Sequence, residues 1–211
     1  RPNIIMFLID DQNPSSIAAF GGETYTPNLD RMAEEGMKFT RAYVSSSVCT
    51  PSRYSFLTGR YAGNSHSKLY TDAVGGKKNQ GVPNFNVALE RDNMNVGNVL
   101  REAGYSTGFV GKFHLTSKLD FPEFYKGKDG LIDIPKDARP GPETSAQFKH
   151  NERLMRRYLK TLGFSWAKNI YGENMHSPYS MHNAEWPTVA ALEFIEENKD
   201  GPFYLHFCST L

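Results

Sequence analysis

The 211-residue chain reads as an α/β fold, with a mostly parallel central sheet and helices on both of its faces. Three stretches predict it. Residues 3–9 form a continuous apolar run ending in two acids, the pattern of a parallel strand buried on both sides. Residues 95–110 pass from an amphipathic helix through a glycine into a second apolar strand, and residues 188–208 repeat helix then strand.

Each element has a local cause. After the first strand, residues 26–36 carry helix signals together: Thr26 to cap free amides, Pro27 for the first helical position, Gly36 for a left-handed stop. Residues 37–44 return to alternation, with Phe39, Ala42 and Val44 apolar, and are expected as a strand. Residues 51–57 read as a short helix stopping near Gly59. In the helix at 95–103, Val96, Val99 and Leu100 share one face and Gly104 ends it; residues 105–110 follow as a strand. From 116 to 187 the chain turns loop-rich and is expected as a variable surface excursion, carrying one helix at 145–162. There Phe148, Met155, Leu159 and Leu162 form the apolar face, while Lys149, Arg153, Arg156 and Arg157 stay solvated. A helix at 188–198 and a strand at 202–208 restore the sheet pattern.

Composition narrows the function. Twenty-four basic against 23 acidic residues leave a net charge of +1, so there is no basic excess to neutralise a nucleic-acid backbone. The longest apolar run is far below the roughly 20 residues of a membrane helix, so no membrane span is expected. Two cysteines, Cys49 and Cys208, exclude a disulfide scaffold.

Two places could carry chemistry. Asp10 and Asp11, side by side at a strand end, repel each other unless a cation compensates; they are either a hard-cation site or an ordinary acidic turn. Cys49 precedes Pro51, placing its sulfur ahead of a helix N-terminus where free amides favour an anion. Arg53, one helical turn on, can return beside it as a permanent cation; the alternative is a small buried hydrophobe. Cys208, in an apolar strand, reads as packing. His66, His150, His176, His182 and His206 belong to no motif and read as ordinary surface or core.

Residues 49–59, Cys-Thr-Pro-Ser-Arg-Tyr-Ser-Phe-Leu-Thr-Gly, resemble the first signature of the sulfatase family at every fixed position. Residues 104–114, Gly-Tyr-Ser-Thr-Gly-Phe-Val-Gly-Lys-Phe-His, resemble its second signature, and Asp10-Asp11 match its N-terminal metal-binding acids. The resemblance implies an alkaline-phosphatase-like fold and a sulfuric ester hydrolase. It implies that Cys49 is converted to Cα-formylglycine by a maturation enzyme. The hydrated aldehyde then offers one hydroxyl to attack sulfur and a second to expel sulfate. By the same resemblance Asp10, Asp11 and residue 49 bind a divalent cation, calcium or alternatively magnesium. Arg53 holds the diol, Lys112 clamps the sulfate, and His114 bonds the second hydroxyl.

The family pattern also includes a histidine after the strand at 202–208, a later Asp-Asn metal pair and a second sulfate-binding lysine. None lies within residues 1–211, so the chain is expected to be the N-terminal part of a catalytic domain truncated at its C-terminus, weak in metal binding and poor in turnover by itself. An uncovered sheet edge or apolar face would then favour self-association. The expected substrate is a sulfated small molecule or saccharide. Two alternatives stay open: a phosphodiesterase or phosphonate monoester hydrolase of the same superfamily, and a catalytically incomplete module that only binds or scaffolds. A removed signal peptide before Arg1 would make the protein periplasmic or secreted.

Overall fold

The computed structural model describes residues 1–75, 81–92, 94–127 and 129–210. Four strands build one parallel sheet: β1 (Ile4–Ile9), β2 (Ser106–Lys112), β3 (Trp166–Tyr171) and β4 (Phe203–Ser209), in the spatial order β1-β4-β2-β3. The last strand inserts between the first two, pairing Ile4 with Tyr204 on one side and Ser106 with Phe203 on the other. All seven β4 residues are buried, as a central strand of a two-sided sheet requires.

Alternation along β4 divides the core. Phe203, Leu205 and Phe207 face helix α6 (Glu185–Asn198), where they pack with Val110, Ala190, Ala191 and Phe194. Tyr204 and Cys208 face the larger cluster on the other side, built from α2 (Cys49–Thr58) and α5 (Pro142–Thr161). That cluster is aromatic: Phe113, Phe121 and Phe124 each meet the Tyr158 ring edge-on. Helices therefore cover both faces, as expected.

Several expectations are corrected. Residues 37–44 form no strand. Met37, Phe39, Tyr43 and Val44 are exposed, and alternation makes a strand only where a neighbour supplies the ladder. Helix α1 (Pro27–Glu35) forms, yet Thr26 does not cap it. The Thr26 hydroxyl instead accepts from the Ala18 amide and donates to Asp30, and Gly36 has φ −116° rather than a left-handed value. In α4 (Val96–Glu102) the cap is Asn95, accepting from the Asn98 amide at 3.1 Å, and Val99 points outward while Val96 and Leu100 pack inward.

The stretch 116–187 is more than an excursion, because it contains β3 as well as α5. Trp-Ala-Lys-Asn-Ile-Tyr hides its period: Asn169 takes φ 53°, and the β2–β3 register shifts beside it, between Val110 and Gly111. In α5 the predicted Met155, Leu159 and Leu162 are buried, Phe148 meets Tyr179 edge-on, and Lys149, Arg153, Arg156 and Arg157 are exposed. A short helix, α3 (Lys68–Val74), completes the set; Asp120 accepts from the Lys68 and Leu69 amides at its start. On β1, Ile5 and Phe7 remain about half exposed on the α6 side of the sheet. No helix among the described residues is long and apolar enough to cross a membrane.

Candidate active site

In a parallel sheet the strand C-termini share one edge, and here they gather the residues singled out above. Asp10 directly follows β1, its amide still bonded to Ser209 O at 2.9 Å. Lys112 ends β2 and His114 lies two residues beyond. Helix α2 runs up to the same edge with Cys49 as its first residue and Val48 as the cap. Pro51 is third in this helix, not first as the sequence suggests; its missing N–H is not needed there, because the first intrahelical bond comes from Ser52 to Val48. Gly59 closes α2 at φ 67°.

One carboxylate joins the two signatures. Arg53 Nη2 donates to Asp10 Oδ1 at 2.8 Å, and Lys112 Nζ to Asp10 Oδ2 at 2.6 Å. Arg53 Nη1 also donates to the Lys112 carbonyl at 2.8 Å. Both cations are buried, with side chains only 2% exposed. Burial pushes the Asp10 carboxyl up, but its bonds to Lys112 and Arg53 outweigh that, and the net shift is below the usual carboxylate range. Two buried cations against one carboxylate leave an excess positive charge, and Arg53 Nε has no partner among the described residues. Such a place fits an anion.

The thiol faces a base. Cys49 Sγ lies 3.3 Å from His114 Nδ1, bringing together residues 65 positions apart. Burial, then the nearby Lys112 charge, pushes His114 down to about 4, so its ring is neutral near pH 7 and able to take a proton. Backbone shape marks the same spot. Of three non-glycine residues with left-handed φ among those described, two are Asp11 (57°) and His114 (53°). Gly111 has φ 89°, and a Cβ there would come within 1.8 Å of the Cys208 carbonyl oxygen, so only glycine lets β2 approach β4 beside Lys112.

The acids do not form a metal cage by themselves. Asp11 is exposed, both Asp10 oxygens are taken by cations, and no group of three or more His, Cys, Asp or Glu side chains converges among the described residues. With both Asp10 oxygens facing Arg53 and Lys112 and only exposed Asp11 beside them, these two acids alone do not hold a divalent ion; further acidic ligands would be needed.

Sequence reading missed three partners. Cys208 is buried packing, as expected, but it lies beside Arg53; burial pushes its thiol up to about 11, with the Arg53 charge opposing. Glu90 anchors the far end of α2, accepting from Tyr54 OH, Ser65 Oγ and the His66 amide through Oε1 and from Arg60 through Oε2. Phe85 stacks on the His114 ring at 5.4 Å between centroids. No local pattern points to these residues, since each acquires its partner through tertiary contact. The unassigned histidines behave as ordinary residues: His66, His176 and His182 are exposed, His150 meets the Gly130 carbonyl, and His206 is in the core.

Comparison with known proteins places the chain in a family. The sulfatase family model matches residues 2–210. The chain is 37% identical over 139 residues to arylsulfatase G of Rattus norvegicus, covering 64% of this chain and 24% of that protein. It thus spans about a quarter of the length of that curated relative. Among solved structures, one in complex with its substrate D-glucosamine-2-N,6-O-disulfate is similar at TM-score 0.56 and 21% identity, covering 99% of this chain and 34% of that one. Phosphonate monoester hydrolase of Agrobacterium radiobacter is similar at TM-score 0.56 and 19% identity, covering 100% of this chain and 41% of that one. The fold is therefore alkaline-phosphatase-like. By its family match and its two signatures, the chain belongs to the sulfatase family.

Proposed function

We propose that this chain supplies the nucleophile and the anion-binding side of a sulfuric ester hydrolase, and forms the N-terminal part of its catalytic domain. The observation that carries the reading is the Cys49–His114 contact beside the buried Arg53–Asp10–Lys112 group. Lys112 and Arg53 neutralise the sulfate oxygens, and neutral His114 moves a proton at Nδ1 beside residue 49. With Cys49 matured to Cα-formylglycine by its modifying enzyme, residue 49 would offer a hydroxyl nucleophile in place of the thiol. A divalent cation, calcium or magnesium, would be shared by Asp10, Asp11 and residue 49 with acids outside residues 1–211, and would polarise the sulfate oxygens. The substrate is a sulfated small molecule or saccharide; the sugar disulfate bound by one structural neighbour supports the saccharide choice. A periplasmic or secreted location belongs to the same reading.

The test has two arms. Peptide mass spectrometry on protein from its native host should find residue 49 as the aldehyde, and the full-length protein should hydrolyse aryl and saccharide sulfates. An unmodified thiol in active protein would sink the mechanism. The fold shared with a phosphonate monoester hydrolase supports a second reading, hydrolysis of phosphate diesters or phosphonate monoesters. Faster turnover of a phosphate diester than of the matching sulfate would favour it. Absence of turnover on either class by the matured full-length protein would leave a binding or scaffolding module.

A further inference from the structure

Phe85 is 61% exposed, and a single exposed aromatic is ordinary by itself. Its surroundings are not. The ring stacks on His114 with centroids 5.4 Å apart and planes 28° from parallel, and His114 in turn meets Cys49 Sγ at 3.3 Å. One face of Phe85 is thereby engaged at the site, and the rest of the ring is open to solvent.

The loop that presents Phe85 is built on a fixed base. Val87, Ala88 and Leu89 are at most 1% exposed. The Leu89 amide donates to the Leu115 carbonyl at 3.3 Å, one residue beyond His114, and the Ala88 amide donates to Ser67 Oγ at 3.3 Å. The turn before them closes on itself, with the Asn84 amide donating to Asn86 Oδ1 at 2.7 Å. Because the segment after Phe85 is tied to the residue after His114, the two rings are held side by side rather than meeting by chance.

In an ester R–O–SO₃⁻ the leaving group is one oxygen away from sulfur. The attacking and departing oxygens lie on opposite sides of sulfur, so with Arg53 and Lys112 on the buried floor and residue 49 beside His114, group R leaves away from residue 49 and outward over the exposed rim around His114. Among the described aromatic residues, Phe85 is the one stacked there. We propose that Phe85 is a specificity-determining platform for the leaving group, taking a flat apolar ring face, aryl or pyranose. This rests on the sulfate ester reading above. An aromatic face recognises the CH face of a sugar and an aryl ring by the same dispersion and stacking contacts, worth about a two- to tenfold change in affinity.

The experiment uses protein carrying Cys49 as the unmodified thiol, so that binding is read without turnover. Binding of phenyl sulfate, glucosamine 6-sulfate and methyl sulfate is measured by calorimetry for wild type, Phe85→Ala and Phe85→Tyr. The expected result is about two- to tenfold weaker binding of a ringed sulfate by Phe85→Ala, with methyl sulfate unchanged and Phe85→Tyr like wild type. Loss confined to phenyl sulfate identifies an aryl leaving group, and loss confined to glucosamine 6-sulfate identifies a pyranose. Equal weakening of all three, no weakening, or a wild type that does not prefer ringed sulfates overturns the platform. Hydrolysis by the matured full-length protein is scored separately. Turnover with unchanged selectivity in Phe85→Ala defeats the platform alone; selective ring binding without turnover of any sulfate defeats the sulfatase reading alone.

Discussion

Arg53 and Lys112 are held together twice: the Arg53 guanidinium donates to the Lys112 carbonyl at 2.8 Å, and both side chains end on opposite oxygens of Asp10. Residues from the two sequence signatures thus share one acceptor, and that acceptor comes from the first strand.

Removing it should be expensive. Asp10→Ala leaves two buried cations with no carboxylate, and breaking a buried pair from one side costs roughly 3–5 kcal/mol. Urea unfolding of wild type and variant checks this. A loss below about 1 kcal/mol would mean that solvent already screens the pair.

Gly111→Ala should be at least as damaging. The new Cβ would meet the Cys208 carbonyl oxygen at 1.8 Å on a backbone at φ 89°, so β2 must move away from β4 and carry Lys112 with it. Thermal unfolding should show a large fall in Tm, whereas Gly141→Ala, where a Cβ would meet nothing within 4 Å, should stay near wild type.

The two cysteines should separate by reactivity. Protein with Cys49 left as a thiol, treated with iodoacetamide at neutral pH, should be labelled at partly exposed Cys49 and spared at Cys208, which is buried and pushed up to about 11. Peptide mass spectrometry reads the ratio, and unfolding in urea should equalise it. Equal labelling of the native protein would contradict the packing around Cys208.

Stability should fall in mild acid through His206. Its ring is fully buried, stacked on Phe109, with Nδ1 2.6 Å from Tyr204 OH, and burial, then the Arg53 charge, pushes it down to about 3. The unfolded chain, with an ordinary histidine near 6.5, binds the proton first. Stability is therefore complete above about pH 6.5 and declines towards pH 3, with a slope of up to about 1.4 kcal/mol per pH unit from this residue. His206→Leu should flatten that slope in urea titrations between pH 6 and 4; an unchanged slope would assign the effect to other groups.

Glu90→Gln should loosen the far end of α2. The carboxylate accepts from Tyr54, Ser65, the His66 amide and Arg60, and an amide cannot accept all four. A loss of about 1–3 kcal/mol is expected by chemical denaturation.

Local chemistry carried much of this structure. The strands expected at 3–9 and 202–208 and a helix over 51–57 were legible from apolar runs and helix signals, and the family resemblance of the motifs singled out Asp10, Arg53, Lys112 and His114, which the structure brings to one sheet edge. The failures have one physical character. Residues 37–44 alternate without a neighbour to pair with, and β3 was hidden because Asn169 breaks its period with a left-handed residue. Thr26, a good cap by type, spends its hydroxyl on Ala18 and Asp30.

Sequence by itself determined the family, the parallel sheet and the residue types at the site, because those follow from short-range spacing and side-chain chemistry. Tertiary structure decided what those residues meet. It set two buried cations on one carboxylate, placed Cys208 beside Arg53, and laid Phe85 on His114. Such pairings join residues dozens of positions apart, and only the closed sheet edge brings them within contact, where burial and charge act over a few ångströms.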